Sequence, residues 1–228
     1  MDVAVISQAL KEEVARSALL LLQKGLTPGG DFGDTSLRDR ETGLIYILPR
    51  PSPRQPISDW SKVTPGDVAV IDLSGKNKGD PGVLPTVEAP MHLRIYQARP
   101  EVNGIVHSHG EWSSVFAAAR QGIPAVTLDA LETIGVEEIP CAAYGRIATK
   151  DLADKVVEAL GSRSKAALMA NHGAVCVGTT LDEAFLVAYL LEKVSMQVLF
   201  GRILGQPRAI TWKEFGEVPT HEEMVSQP

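Results

Sequence analysis

Short apolar runs alternate along this chain with segments whose apolar side chains recur at the helical period. Residues 2–24 predict an amphipathic helix that ends at Gly25. A capping-box pattern at residues 180–183 predicts the start of a long helix. Further helices are predicted at 91–98, 111–120 and 151–160, and strands at 44–48, 68–73, 104–107, 123–128, 166–170 and 174–177. Because strands and helices alternate, we expect a layered α/β fold.

Turn-forming residues separate these elements. Residues 27–36 form a loop with three glycines, and 39–43 suits a hairpin turn. Residues 49–66 hold five prolines, which exclude a long regular element and indicate an ordered loop or a mobile lid. We expect one domain over residues 1–228, with a core at 1–205 and a polar tail at 206–228, although the length alone would also allow two domains.

Composition narrows the function classes. The net charge of −6 argues against a nucleic-acid surface, which would need clustered Lys and Arg. The N-terminus lacks the basic segment of a signal peptide, and we find no apolar run that approaches a membrane span. Cys141 and Cys176 match no zinc or redox spacing, so buried free thiols are expected. These features predict a cytoplasmic protein that binds neither membrane nor nucleic acid.

Histidines at two predicted strand ends are the candidate chemistry. His107 and His109 would project from one face of a strand, with Ser108 on the other face. His172 ends a later strand and is followed by glycine. Three converging imidazoles suit an open catalytic zinc site, with Glu88 as the candidate carboxylate. Taken alone, the histidine pair is equally consistent with polar residues at a strand end.

The remaining histidines predict no ligand. His92 falls within a predicted helix, where a packing or helix-face position is expected. His221 lies in the polar tail, where exposure to solvent is expected.

Three motifs together carry a family resemblance. The run from Glu88 to Tyr96, the His-Ser-His-Gly motif at 107–110 and the Asn-His-Gly motif at 171–173 resemble the class II aldolase and sugar-phosphate epimerase family, over nearly the whole chain to Leu199. The resemblance implies a three-layer α/β/α fold around a mixed, mainly antiparallel sheet. It also implies a homotetramer with active sites at subunit interfaces.

The resemblance also implies the metal and its ligands. Zn²⁺, or another divalent cation such as Mn²⁺ or Co²⁺, would be held by His107, His109 and His172. Glu88 matches the family glutamate that ligates the resting metal and then acts as acid and base. The epimerase branch has Asp at that position, so Glu88 favours carbon–carbon bond cleavage.

The implied reaction is retro-aldol cleavage of a small hydroxy-carbonyl substrate, phosphorylated or carboxylated, through an enediolate. Decarboxylation or dehydration within the same family is the nearest alternative, since loss of CO₂ beside a carbonyl gives the same kind of intermediate. A 4-epimerase and a non-catalytic, adducin-like binding module follow in that order. The three intact histidines argue against the binding module.

The candidate substrate-binding residues Gly33, Asp34, Arg50 and Thr86 depart from the family pattern. Asp34 stands where the family usually has Asn, and ionised Asp cannot donate a hydrogen bond. Thr86-Val87 replaces a Ser-Ser pair. Arg50 or Arg54, near Ser52, would either grip an anion or remain solvated. These changes predict a substrate other than the usual ketose 1-phosphate, with a carboxylate or another anion bound by arginine.

The family's tyrosine proton donor also has no counterpart, because the aligned region is Ala125 to Asp129. Asp129 or Glu132 would have to replace it, and the sequence does not rank them. For Tyr144, further along the chain, an ordinary packed role is expected.

Overall fold

A seven-stranded sheet lies at the centre of the protein, in a computed structural model that describes residues 5–51 and 59–216. The strands are β1 (Asp34–Arg38), β2 (Ile45–Ile47), β3 (Ala69–Ile71), β4 (Gly104–Ser108), β5 (Ile123–Pro124), β6 (Glu138–Ile139), β7 (Cys141–Ala142), β8 (Ala166–Met169) and β9 (Gly173–Gly178). The helices are α1 (Gln8–Gln23), α2 (Ala89–Ala98), α3 (Glu111–Ala119), α4 (Leu128–Ile134), α5 (Lys150–Leu160), α6 (Leu181–Leu204) and α7 (Trp212–Phe215).

The strand order across the main sheet is β3-β2-β1-β4-β9-β8-β7, and β5 pairs separately with β6. Every neighbouring pair in the main sheet is antiparallel except β7 with β8, which is parallel. The expectation of a mixed, mainly antiparallel sheet is therefore confirmed.

Helices cover both faces of this sheet. Val106 of β4 points into a core shared with α1, α3, α4 and α6. Its neighbour Ile105 points into a second core shared with α2 and α5. Because adjacent residues of one strand enter different cores, the sheet separates two helical layers, and the three-layer α/β/α architecture is confirmed.

The N-terminal helix is shorter than the pattern predicts. It begins at Gln8, because Ser7 has an extended backbone and its Oγ accepts the N–H of Leu10 at 3.3 Å. The part of that prediction at residues 2–4 lies outside the described residues. The capping box predicted at 180–183 is half formed, since Thr180 accepts the N–H of Glu183 but the Glu183 carboxylate binds the N–H of Thr179.

The predicted strand at 123–128 is wrong beyond its second residue. Only Ile123–Pro124 pairs, and Thr127 becomes the residue before a helix over Leu128–Ile134. That helix has seven residues, too few for its period to stand out in the sequence. In the predicted tail, residues 212–215 form the short helix α7.

Helix α6 is long and apolar enough, by length and composition alone, to cross a membrane, which the sequence analysis did not anticipate. Half of its most apolar stretch is buried within the protein. It packs on β4 and β9, with Ala184, Ala188 and Leu191 fully buried. These contacts are those of a core helix in a layered fold.

Gly104 offers a test of the packing between β4 and α6. A Cβ atom built there would lie 2.4 Å from the carbonyl oxygen of Thr180 and 2.5 Å from Cα of Leu181. Both are backbone atoms, so Gly104→Ala should lower the free energy of unfolding by about 2 kcal/mol. Urea denaturation followed by circular dichroism measures the change.

Gly66→Ala is the matched control, since its nearest neighbour is the Thr64 hydroxyl at an ordinary 3.6 Å. It should change stability by about 0.5 kcal/mol or less. Equal stabilities of the Gly104 and Gly66 variants would contradict the packing described here.

Candidate metal centre

Three histidines converge where β4 ends and β9 begins. The ring centroids of His107 and His109 are 4.7 Å apart, and those of His172 lie 4.9 and 5.1 Å from them. One ring nitrogen of each lies within 4.8 Å of the others, and Nε2 of His107 is 3.1 Å from Nε2 of His109. Nδ1–H of His107 donates to the carbonyl of Ala174 at 2.9 Å, which leaves Nε2 free for a metal.

The backbone around Gly173 brings these side chains together. Asn171 has a left-handed backbone with φ of 58°, and its side-chain oxygen accepts Nε–H of Arg120 at 2.8 Å. A Cβ at Gly173 would lie 2.4 Å from the carbonyl oxygen of Ser108, so only glycine permits the approach of the two strands. The turn between β8 and β9 therefore directs His172 toward the β4 histidines.

The pKa values of the three histidines favour metal binding. Burial, followed by the charges of neighbouring imidazoles, lowers the pKa of His109 and His172 to about 4. Burial likewise lowers the pKa of His107 to about 4, against the opposing charge of Asp34. At neutral pH all three rings carry free lone pairs, which a divalent cation requires. The donor set and its convergence fit a three-histidine metal site.

Glu88 lines the same cavity as the three histidines. It is the residue that precedes α2 and is 3 % exposed, and neither carboxylate oxygen bonds to another side chain within the described part of the chain. The nearby backbone N–H of Ala148 acts to lower its pKa. Burial, reinforced by the charge of Asp34, raises the pKa of Glu88 to about 7. A buried carboxyl with uncommitted oxygens can ligate a cation or carry a proton.

Asp34 lines the cavity too, and each of its carboxylate oxygens contacts one side chain of the wall. Its Oδ2 accepts the hydroxyl of Thr86 at 2.6 Å, and its Oδ1 lies 2.8 Å from Nε2 of His92. Burial raises the pKa of Asp34, but the charge and hydrogen bond of His92 outweigh burial and hold it at about 2. Asp34 is therefore an ionised, acceptor-only group.

His92 is buried on the face of α2, as expected, but its polar role was not anticipated. Its Nδ1 lies 2.7 Å from the hydroxyl of Ser36, which is also 2.7 Å from the hydroxyl of Tyr96. Two spacings in the sequence carry a weak signal for this network: Ser36 follows Asp34 by two residues on a strand, and Tyr96 follows His92 by four on a helix.

Gly33 also lines the cavity, with φ of +71° and room for no side chain, since a Cβ would lie 2.8 Å from the His107 carbonyl oxygen. Arg50 is exposed, and its backbone N–H binds the carbonyl of Leu84. It is not among the described residues that line the cavity. The interpretations of Ser52, Arg54 and His221 concern positions outside the described residues.

Apolar residues complete a cavity of about 360 Å³. Phe32, Val87 and Ile147 are partly exposed in its lining, beside Asp31. The sequence marks Val87 only as a departure from the family's Ser-Ser pair, and it gives no signal for Asp31, Phe32 or Ile147, because no chemical pattern distinguishes them from ordinary loop residues.

The candidate replacements for the missing tyrosine lie elsewhere. The expectation of a packed Tyr144 is wrong, since its side chain is 54 % exposed, with the Arg120 guanidinium 6.0 Å from its ring. Asp129 pairs with Lys193 at 2.6 Å, and Glu132 is exposed. None of the three is among the described cavity-lining residues. Cys141 and Cys176 are free thiols, as expected, but only Cys176 is buried, and Cys141 is half-buried.

The fold and the site together define a metal-dependent, aldolase-type lyase: a three-histidine centre beside a buried carboxylate, at the end of a sheet in an α/β/α sandwich. The family model for the class II aldolase and adducin N-terminal domain matches residues 12–199. The chain belongs to this family.

Similar proteins include the 5-deoxy-D-ribulose 1-phosphate aldolase of Bacillus thuringiensis serovar kurstaki, 29 % identical over 90 % of this chain and 92 % of the relative. The L-fuculose phosphate aldolase of Escherichia coli K12 is 30 % identical over 87 % of this chain and 86 % of its own. A solved structure of L-fuculose 1-phosphate aldolase superimposes with a TM-score of 0.83 and 28 % identity, covering 92 % of this chain and 93 % of that one.

His109 and Ser108 point to opposite sides at the end of β4, which allows a direct test of the metal ligands. His109→Ala removes one of three imidazoles, so the purified protein should lose nearly all of its bound divalent metal and its activity while its circular dichroism spectrum persists. Metal content by plasma mass spectrometry is the measurement.

Ser108→Ala is the control within the same motif. Ser108 is buried on the opposite side of the strand, and its hydroxyl has no hydrogen-bond partner within residues 5–51 and 59–216. Removal of the Ser108 hydroxyl should leave the metal content of the protein unchanged. Full metal occupancy in the His109 variant would refute the assignment.

Proposed function

We propose that this protein cleaves a carbon–carbon bond of a small hydroxy-carbonyl substrate, phosphorylated or carboxylated, by a retro-aldol reaction. One observation carries the proposal: the buried carboxylate of Glu88, which bonds to no other side chain among the described residues, shares a cavity with three converging histidines. The relatives named above are aldolases of 5-deoxyribulose 1-phosphate and fuculose phosphate. The names of these relatives support the reaction class. The residues around Asp34 depart from the family pattern, so we expect the substrate to differ from the usual ketose 1-phosphate.

His107, His109 and His172 would hold the cation, for which we propose Zn²⁺, with Mn²⁺ or Co²⁺ as alternatives. When bound, a divalent cation supplies positive charge where negative charge grows on a substrate oxygen during cleavage. The buried position of His107 and its bond to the Ala174 carbonyl fix the orientation of its imidazole ring, with Nε2 toward His109.

Glu88 is the proposed acid and base. Retro-aldol cleavage needs a proton removed from a hydroxyl and a proton delivered to a carbon of the enediolate. Asp34 is held ionised by His92 and is a poor proton donor, whereas the raised pKa of Glu88 suits a group that both takes and returns a proton near neutral pH. The two neighbouring carboxyls thus have separate roles.

Decarboxylation remains the second candidate, because it passes through the same kind of intermediate and would use the same groups. Release of CO₂ from carboxylated substrates distinguishes it from aldol cleavage. Glu88 in place of Asp counts against epimerisation, and the intact histidines count against a binding module.

Glu88→Gln tests the proton-transfer role. The amide keeps the size of the side chain but cannot exchange a proton, so kcat should fall by about a hundredfold or more while bound metal is largely retained. Steady-state kinetics on the cleavage of a ketose phosphate panel, with metal content measured on the same sample, gives the answer. A kcat within a few-fold of wild type would show that Glu88 is not the acid and base.

We infer that the chain forms a single domain over residues 1–228, in a cytoplasmic homotetramer with active sites at subunit interfaces. An exposed apolar stripe supports the assembly. On α6 it comprises Leu186, Tyr189, Met196, Phe200 and Ile203, which are 37 to 78 % exposed and are spaced by three, four or seven residues along one face. Such a face is costly to leave in water.

The assembly prediction is checked by sedimentation. The wild-type protein should sediment at four times the chain mass of 24.5 kDa. Phe200→Glu places a charge in the apolar stripe and should shift the protein to smaller species, with loss of activity. A wild-type monomer with full activity would contradict both the tetramer and the shared active sites.

A further inference from the structure

In the hydrogen bond that joins Asp34 and Thr86, Thr86 is the donor and Asp34 is the acceptor. The Thr86 hydroxyl donates its single hydrogen to Oδ2 of Asp34 at 2.6 Å, while Oδ1 of the same carboxylate faces Nε2 of His92 at 2.8 Å. The same hydroxyl oxygen accepts the backbone N–H of Glu88 at 3.2 Å. Thr86 therefore has no hydrogen left to offer to a ligand in the cavity.

The network behind Asp34 holds this direction in place. The Tyr96 hydroxyl donates to the carbonyl of Asn103 at 3.3 Å, and Ser36 lies between Tyr96 and Nδ1 of His92. Because the Asp34 carboxylate accepts, Nε2 of His92, 2.8 Å from Oδ1, carries the hydrogen that lies between them. These residues are fully buried, so the carboxylate cannot rotate out to release Thr86 without leaving buried polar groups unpaired.

The rest of the cavity offers an anion little support. The described lining includes three acidic residues, Asp31, Asp34 and Glu88, and contains no Lys or Arg. Val87 presents an aliphatic side chain that is 40 % exposed. A phosphate placed against this wall would meet negative charge and acceptor oxygens in a largely buried setting.

We propose that Asp34 and Thr86 form an acceptor wall, which binds the substrate through neutral hydroxyl groups and disfavours a phosphate or carboxylate at that position. This inference rests on the proposed function, because it names the substrate group that the same site selects. An anionic group of the substrate would have to bind away from the wall.

Asparagine at position 34, the amide counterpart of Asp34, would change the wall from a hydrogen-bond acceptor to a donor. With Asn at position 34, the carbonyl oxygen can still accept from His92, and the amide nitrogen would then face Thr86 and donate to it. The Thr86 hydroxyl would be released to donate into the cavity. Asp34→Asn changes one atom and one charge, so it should preserve packing while converting acceptors into donors.

The experiment measures ligand binding to the zinc-loaded protein by calorimetry. The probes are dihydroxyacetone and dihydroxyacetone phosphate, the neutral and phosphorylated forms of the three-carbon ketone that aldol cleavage of a ketose 1-phosphate releases. The proteins are wild type, Asp34→Asn, Thr86→Val and the double variant, with folding checked by circular dichroism. Asp34→Asn should raise the affinity for the phosphate, relative to the neutral ketone, by about tenfold or more.

The double variant separates hydrogen-bond direction from charge. If Thr86 is the released donor, most of the gain should disappear in the Thr86→Val background. An unchanged ratio in Asp34→Asn, a gain that persists in full without the Thr86 hydroxyl, or wild-type protein that fails to bind dihydroxyacetone would each overturn the acceptor wall. Because binding does not require turnover, these outcomes are independent of the Glu88→Gln result that tests the proposed function.

Discussion

The antiparallel pairing of β4 with β9 is the constraint on which the site depends. His107 lies opposite Val175 and Ser108 opposite Ala174, so the end of one strand meets the start of the other. A slip of one residue would turn His107 to the other face of the sheet and disperse the three imidazoles. The pair lies between β1 and β8 in the sheet, with helices on both faces, which fixes its register.

The same strand arrangement separates two carboxyls with opposite properties. Asp34 of β1 lies opposite His107 and meets His92 and Thr86, so it stays ionised. Glu88 immediately precedes α2 and bonds to no other side chain among the residues described, and burial favours its protonated form. Divergent environments for neighbouring carboxyls are a recurring basis for assigning separate roles in acid–base chemistry. Here one carboxyl shapes the cavity wall and the other is available to move a proton.

Local patterns in the sequence predicted the layered fold and the pairing of His107 with His109, because strand alternation is a property of neighbouring residues. They could not predict the buried contact between Asp34 and His92, which are 58 residues apart and meet only through tertiary packing. The helix that follows Thr127 was missed for a related reason, since a seven-residue element has too little period to outweigh the apolar run before it. The convergence of His172 with the other two needed family resemblance as well as local pattern.

Metal binding and substrate selection respond to different physical variables in this site. The positions of the three histidines follow from backbone register and from the close approach at Gly173, which many residues jointly determine. The character of the wall follows from hydrogen-bond direction, which one atom of residue 34 can reverse without moving the backbone. Asp and Asn have nearly the same shape, so the fold tolerates either residue while the ligand does not. Family membership therefore predicts the centre and its chemistry well, and the group that the wall selects has to be derived from the individual donors and acceptors.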